Sequence, residues 1–115
     1  MADVESVGSR AAYVTCDVSQ FDSLPTMAER AAACFGSPDI LVNAAGVNFR
    51  ESWAKVTPET WNKAIDINLT APFFLARLLV PSMHEKGWGK IINIASLQSL
   101  RAFPNSMPYG ASKGG

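Results

Sequence analysis

Short apolar runs alternate along the chain with longer stretches in which apolar residues recur every three or four positions. Residues 11–15 (Ala-Ala-Tyr-Val-Thr) read as a short buried strand. Residues 23–35 read as an alanine-rich helix, stopped by Gly36-Ser37-Pro38. Ile40–Asn43 is a second buried strand. Thr57-Pro58-Glu59 marks a helix start, with a hydroxyl cap, proline in the first turn and an acid beside it; this helix carries Trp61 and Ile65. A longer helix follows through Phe73, Phe74, Leu75, Leu78 and Leu79 to about Lys86, where Gly87-Trp88-Gly89 ends it. Residues 90–95 form a third strand, apolar on both faces. A loop over 97–104 leads into a last helix opening near Asn105 or Ser106.

Strands apolar on both faces and separated by helices predict an α/β fold, an open parallel sheet of about three strands covered by helices on both sides. No repeat, low-complexity segment or linker interrupts residues 1–115, so they read as one domain. The chain opens just before a strand and closes about two turns into a helix, which is marginal without packing. The expectation is a central slice of a longer protein; a small complete domain with a fraying end is the alternative.

Ten basic and ten acidic side chains argue against nucleic acid or an anionic membrane as partner. No apolar run reads as long enough to span a bilayer, and the first residues are not a signal peptide. Cys16 and Cys34 read as buried, reduced thiols of a cytoplasmic protein. His84 stands alone, which removes a histidine metal cluster, and it reads as surface.

The chemistry concentrates near the C-terminus. Tyr109 and Lys113 lie four apart and share a helix face. A free phenol titrates at about 10 and is a poor proton donor at neutrality. A neighbouring ammonium favours the phenolate, so such a pair suits general acid–base work. Alone, the spacing is common in soluble helices. Ser96 adds to it: it follows the third strand directly, where open parallel sheets present groups to ligands. Its hydroxyl is placed to donate to a carbonyl oxygen, or simply to cap a turn, as Ser99 also could. Asn43-Ala44-Ala45-Gly46 closes the second strand with side chains small enough for a flat ligand to meet the backbone. Pro72 lacks the N–H that would bond the carbonyl of Asn68 in an α-helix. That carbonyl is then free to hold a water leading to Lys113, unless Pro72 is simply a first-turn residue.

Together these motifs resemble the short-chain dehydrogenase/reductase family, in order along nearly the whole chain. Asp17-Val18 resembles its adenine-contacting pair, and Asn43-Ala44-Ala45-Gly46 its Asn-Ala-Gly signature beside the cofactor. Asn68, Ser96, Tyr109 and Lys113 match its catalytic tetrad, with Ser-to-Tyr spacing of thirteen and Tyr-to-Lys spacing of four. The resemblance implies a partial Rossmann-like doubly wound sheet, NAD or NADP as cofactor, and hydride transfer between a secondary alcohol and a ketone. It implies Tyr109 as acid or base, Ser96 orienting the reacting oxygen, Lys113 holding the nicotinamide ribose and Asn68 completing a proton relay. The family's Gly-x-x-x-Gly-x-Gly phosphate turn is absent from these residues, as are the segment that selects NAD over NADP and the substrate loop. The isolated 115 residues are therefore expected to bind cofactor poorly and be inactive.

Residues 96–105 and the segment around Trp88 look most like members acting on sugar acids, such as gluconate dehydrogenases, with 3-oxoacyl reductases second. Gln98 and Arg101 would face a carboxylate-bearing substrate or else be solvated. The long helix is apolar on nearly every side, which implies a partner and a chain of 115 residues that aggregates. The resemblance implies a homo-oligomer, tetramer or dimer, for the full-length parent. The alternatives are a non-catalytic fragment that associates with intact subunits, and an epimerase or dehydratase of the extended relatives, which the Asn68 and Asn43 contexts disfavour.

Overall fold

The computed structural model describes residues 2–115. Its helices are α1 (Ala2–Ser6), α2 (Leu24–Phe35), α3 (Pro58–Ile65), α4 (Ala71–Glu85) and α5 (Met107–Gly114). Its strands are β1 (Ile40–Asn43) and β2 (Lys90–Asn93). They pair in parallel with Ile40 opposite Lys90 and Asn43 opposite Asn93. The architecture is α/β, a small parallel sheet flanked by helices, as the pattern predicts.

The strand count differs. Residues 11–15 form no ladder, and the sheet among the described residues has two strands rather than three. A strand is completed by a neighbour supplying hydrogen bonds, and this segment pairs with neither β1 nor β2. Covering is also partial. α4 packs on β1 and α2 on α4, while Ile40, Val42, Ile91 and Ile92 stay exposed. The fully enclosed core is accordingly small, centred on Leu24, Ala64, Ala71 and Met83.

The helix start at Thr57 forms as predicted. Its hydroxyl accepts from Thr60 N at 3.2 Å, and Thr60 Oγ1 accepts from Thr57 N at 3.1 Å, so two otherwise orphaned N–H groups are satisfied. The two expected helices are one: Pro58–Glu85 runs unbroken for 28 residues. Around Asp66–Thr70 it widens to a π turn, in which the Ala71 N–H reaches the Asp66 carbonyl. Pro72 lies just beyond, and a local shift to the wider ladder is one way a helix passes a residue that cannot donate. Pro72 is thus inside a continuous helix, not at its first turn.

The length and composition of Pro58–Glu85 would suffice to cross a bilayer, contrary to the expectation of no such run. It carries Lys63, Asp66 and Arg77 and packs against α2, β1 and α5, as a helix of an α/β layer does. At its end Gly87 adopts φ +68°. The N–H groups of Gly87 and Trp88 bond the carbonyls of His84 and Met83, the Schellman arrangement that glycine permits. His84 is exposed, as expected, whereas Cys16 and Cys34 are half-buried rather than buried, because the cover over their segments is partial.

Candidate active site

Both strands end at the same level, and the site is built on those ends. Asn43 closes β1 and is buried; its Nδ2 donates to Asn93 Oδ1 at 2.8 Å. Ala44, Ala45 and Gly46 then leave the sheet exposed, with no side chain larger than a methyl. A Cβ added at Gly46 would stand 3.4 Å from Asn68 Oδ1 and 3.9 Å from Lys113 Nζ, so this glycine faces both groups. Asn68 reaches over from the π turn. Its Oδ1 accepts from Val47 N at 2.8 Å, and its Nδ2 donates to Val47 O at 2.9 Å and to Ser112 Oγ at 2.9 Å.

The helix bearing Tyr109 and Lys113 begins where expected. Ser106 is its N-cap residue and Pro108 lies in its first turn. Asn105, in the left-handed region at φ 57°, turns the chain into it, and its carbonyl accepts from Glu51 N at 3.1 Å. Lys113 Nζ donates to the Ile94 carbonyl at 2.6 Å, just past β2, and stands 5.7 Å from the centre of the Tyr109 ring. A cleft of about 400 Å³ opens here, lined among others by Asn43, Ala45, Asn68, Ile94 and Lys113.

Asn43, Ala45, Gly46, Asn68 and Lys113 therefore converge, with Tyr109 beside Lys113. Ala44 is exposed on the same short connection. Ser96 lies elsewhere in the hydrogen-bond pattern. Its Oγ accepts from Gln98 N at 3.2 Å, and its N–H donates to Ser99 Oγ at 3.3 Å, capping the 3-10 turn Leu97–Ser99. The capping use of Ser96 is real, and Ser99 shares in it. Capping consumes only acceptor capacity, so the hydroxyl hydrogen is still available to a substrate.

Asp17 follows residues 11–15 and is exposed. Its Oδ1 accepts from Ser19 Oγ at 2.8 Å and from Ser19 N at 3.0 Å. These bonds, the hydroxyl first, hold its carboxyl below the ordinary value of 3.8, with a smaller attraction from Lys63. Val18 lies next to Asn43 and Ala45 around a minor crevice against Pro72.

Two residues were not singled out from sequence. Asn93 is the partner of Asn43, and the signal was two apolar strands each closing in asparagine. Ser112, 3% exposed, accepts from Asn68 and donates to the Tyr109 carbonyl at 2.8 Å. Its signal was a small hydroxyl residue directly before Lys113. Gln98 and Arg101 do share a cavity of about 310 Å³ with Ser106, between the Leu97–Ser99 turn and α5. Gln98 Oε1 and Ser106 Oγ are buried there without partners, and the Arg101 guanidinium lies 5.2 Å over the Phe103 ring.

Known proteins share this fold. A putative gluconate dehydrogenase from Agrobacterium tumefaciens superposes with a TM-score of 0.91 at 35% identity, over 99% of this chain and 45% of that one. A 4-hydroxyisoleucine dehydrogenase complexed with NADH gives 0.82 at 35%, over 88% and 45%. A metagenomic short-chain oxidoreductase in complex with NADP gives 0.89 at 34%, over 97% and 51%. D-beta-hydroxybutyrate dehydrogenase of Cupriavidus necator is 40% identical over 108 residues, 94% of this chain and 42% of that protein. The chain thus spans about two-fifths of the length of the curated relatives it matches. The family model described as short chain dehydrogenase matches residues 1–115 throughout, and the chain belongs to that family.

Proposed function

We propose that these residues form the acid–base half of a NAD(P)-dependent oxidoreductase that interconverts a secondary alcohol and a ketone. The observation that carries this reading is the placement of Lys113 beside Gly46, Asn68 and Tyr109 at the strand ends. The residues fit the cofactor the family uses: Gly46 and its small neighbours leave room for a flat ring, and Lys113 offers an ammonium next to it. A bound nicotinamide supplies the hydride in reduction and accepts it in oxidation.

The chain's own groups handle the proton. In reduction the Tyr109 hydroxyl gives its hydrogen to the carbonyl oxygen as the carbon gains hydride. In oxidation the phenolate takes the proton from the alcohol. Ser96 donates its free hydroxyl hydrogen to the same oxygen and orients it. Lys113 keeps two ammonium hydrogens beyond its bond to Ile94, enough for ribose hydroxyls and a relay water. The Asn68 carbonyl, in the π turn ahead of Pro72, is the proposed anchor of that water. Asp17 and Val18 are assigned to the adenine end. No Gly-x-x-x-Gly-x-Gly turn occurs in these residues, and none of them is assigned to the pyrophosphate.

Substrates with a polar or anionic group away from the reacting carbon fit best, either sugar acids or 3-oxoacyl-like molecules. Gln98 and Ser106 offer buried unpartnered polar atoms and Arg101 a cation at one cavity. Exposed Phe73, Leu78 and Val80 on α4 support self-association, and free Cys16 and Cys34 suit a cytoplasmic setting. The test is oxidation of sugar acids and 3-hydroxy acids with NAD and with NADP by the polypeptide in its natural reading frame. Turnover that survives Tyr109→Phe would sink the reading.

A further inference from the structure

The side of α5 that faces the π turn carries a hydroxyl to which no step above gives a task. Ser112 and Asn68 are 3% and 7% exposed. Asn68 Nδ2 has two hydrogens, and both are used, one on Val47 O and one on Ser112 Oγ. Its Oδ1 takes the Val47 N–H. Turning the carboxamide over would set donor against donor, so its orientation follows from its surroundings. Ser112 Oγ receives a hydrogen from Asn68 and has one of its own, which goes to the Tyr109 carbonyl. Every hydrogen in this network has one place.

The two ends of the network matter. One is the backbone of Val47, directly after Gly46; the other is the backbone of Tyr109. A serine that only bonded back into its own helix would need the Tyr109 carbonyl and nothing more. The bond from Asn68, 44 residues away in the chain, is what joins two elements.

We propose that Ser112 is a positioning residue: through Asn68 it sets the height and rotation of the Tyr109–Lys113 turn relative to the Gly46 connection. The proposal rests on reading Tyr109 and Lys113 as the reacting pair. It gives the Asn68 side chain a bracing task, separate from that of its backbone carbonyl.

The test uses Ser112→Ala, which removes the acceptor, Ser112→Thr, which keeps the hydroxyl, and Asn68→Asp, which removes the donor. The first readout needs no turnover: hydrogen exchange of the Asn68 side-chain amide, followed by NMR in the full chain. Exchange is slow in the wild type and in Ser112→Thr, and more than about tenfold faster in Ser112→Ala. The second is kinetics in the natural reading frame. Ser112→Ala and Asn68→Asp lower kcat by roughly ten- to a hundredfold and move its pH profile, with KM for the alcohol nearly unchanged, as misplacement of a reacting group does. Ser112→Thr recovers most of the rate. A Ser112→Ala variant with wild-type kcat and pH profile overturns the proposal. So does a Ser112→Thr variant that restores slow exchange but not rate. A wild type that turns over no alcohol instead removes the acid–base reading, and the exchange pattern still decides whether Ser112 braces the turn.

Discussion

Asn43 donates through its side chain to Asn93 at 2.8 Å, joining the last residues of two parallel strands that lie fifty positions apart in the chain. The bond sits where the backbone ladder runs out and the Ala44–Gly46 connection departs. Replacing either residue by alanine removes it, and the two replacements together should cost less than their sum. A double-mutant cycle in urea is expected to give a coupling of about 1 kcal/mol, the usual net worth of one such bond. A coupling of zero would mean that the strand ends are held by other contacts.

Gly46 faces Asn68 and Lys113 across space that a Cβ would enter at ordinary contact distance. The fold should therefore tolerate a side chain there better than the cofactor does. Gly46→Ala, which adds only that Cβ, is expected to leave the urea midpoint nearly unchanged. On the proposed reading it should weaken nicotinamide binding by tenfold or more, since overfilling a filled site costs about 1–3 kcal/mol. Equal losses in stability and binding, measured by denaturation and cofactor titration, would contradict the placement.

Gly89 presents the opposite case. A Cβ there would lie 2.5 Å from Met83 Cβ and 2.6 Å from its Cγ. Gly89→Ala should destabilise the chain by about 1–3 kcal/mol, read as a lower urea midpoint at constant slope. Met83→Ala in the same chain should not rescue it, because the offending Met83 Cβ remains.

The Asp17 carboxyl titrates low because of Ser19, chiefly its hydroxyl. Ser19→Ala should raise it toward 3.8, and Lys63→Gln should raise it less. The folded value is the depressed one. The interaction therefore favours the folded chain above the ordinary carboxylate pKa and is lost as pH falls through the lowered one. A carboxyl-carbon NMR titration of the variants reads both shifts. If Ser19→Ala leaves the midpoint in place, the Ser19 hydroxyl is not its cause.

Much of this was legible in residue order because the signals are local. Thr57-Pro58-Glu59 contains its own cap, and Gly87 carries the stop that only a positive φ supplies. Ile40–Asn43 and the run from Lys90 announce themselves by apolar content, and the α5 start appears at Ser106. Residues 11–15 show where local reading ends. They have strand composition, yet a ladder needs a neighbour, which no composition guarantees. The union of the two helices across Pro72 was hidden because proline usually interrupts, and the π turn that accommodates it has no signature of its own. Asn68 and Lys113 were visible as types at a spacing. Ser112 was not, since its importance lies in a bond to a residue on another element.

The π turn at Asp66–Thr70 has a geometric result for the whole molecule. An α-helix advances about 100° per residue, and a π turn holds one residue more than an α turn. The helix axis continues, but the faces on either side of the turn are out of phase by about that angle. α3 can then address α5 while α4 addresses α2 and β1, and one rod serves two layers that a uniform helix could not face together. Deleting a single residue between Asp66 and Thr70 would restore a regular helix at the expense of that division, turning either Ala64 or Ala71 away from its buried place.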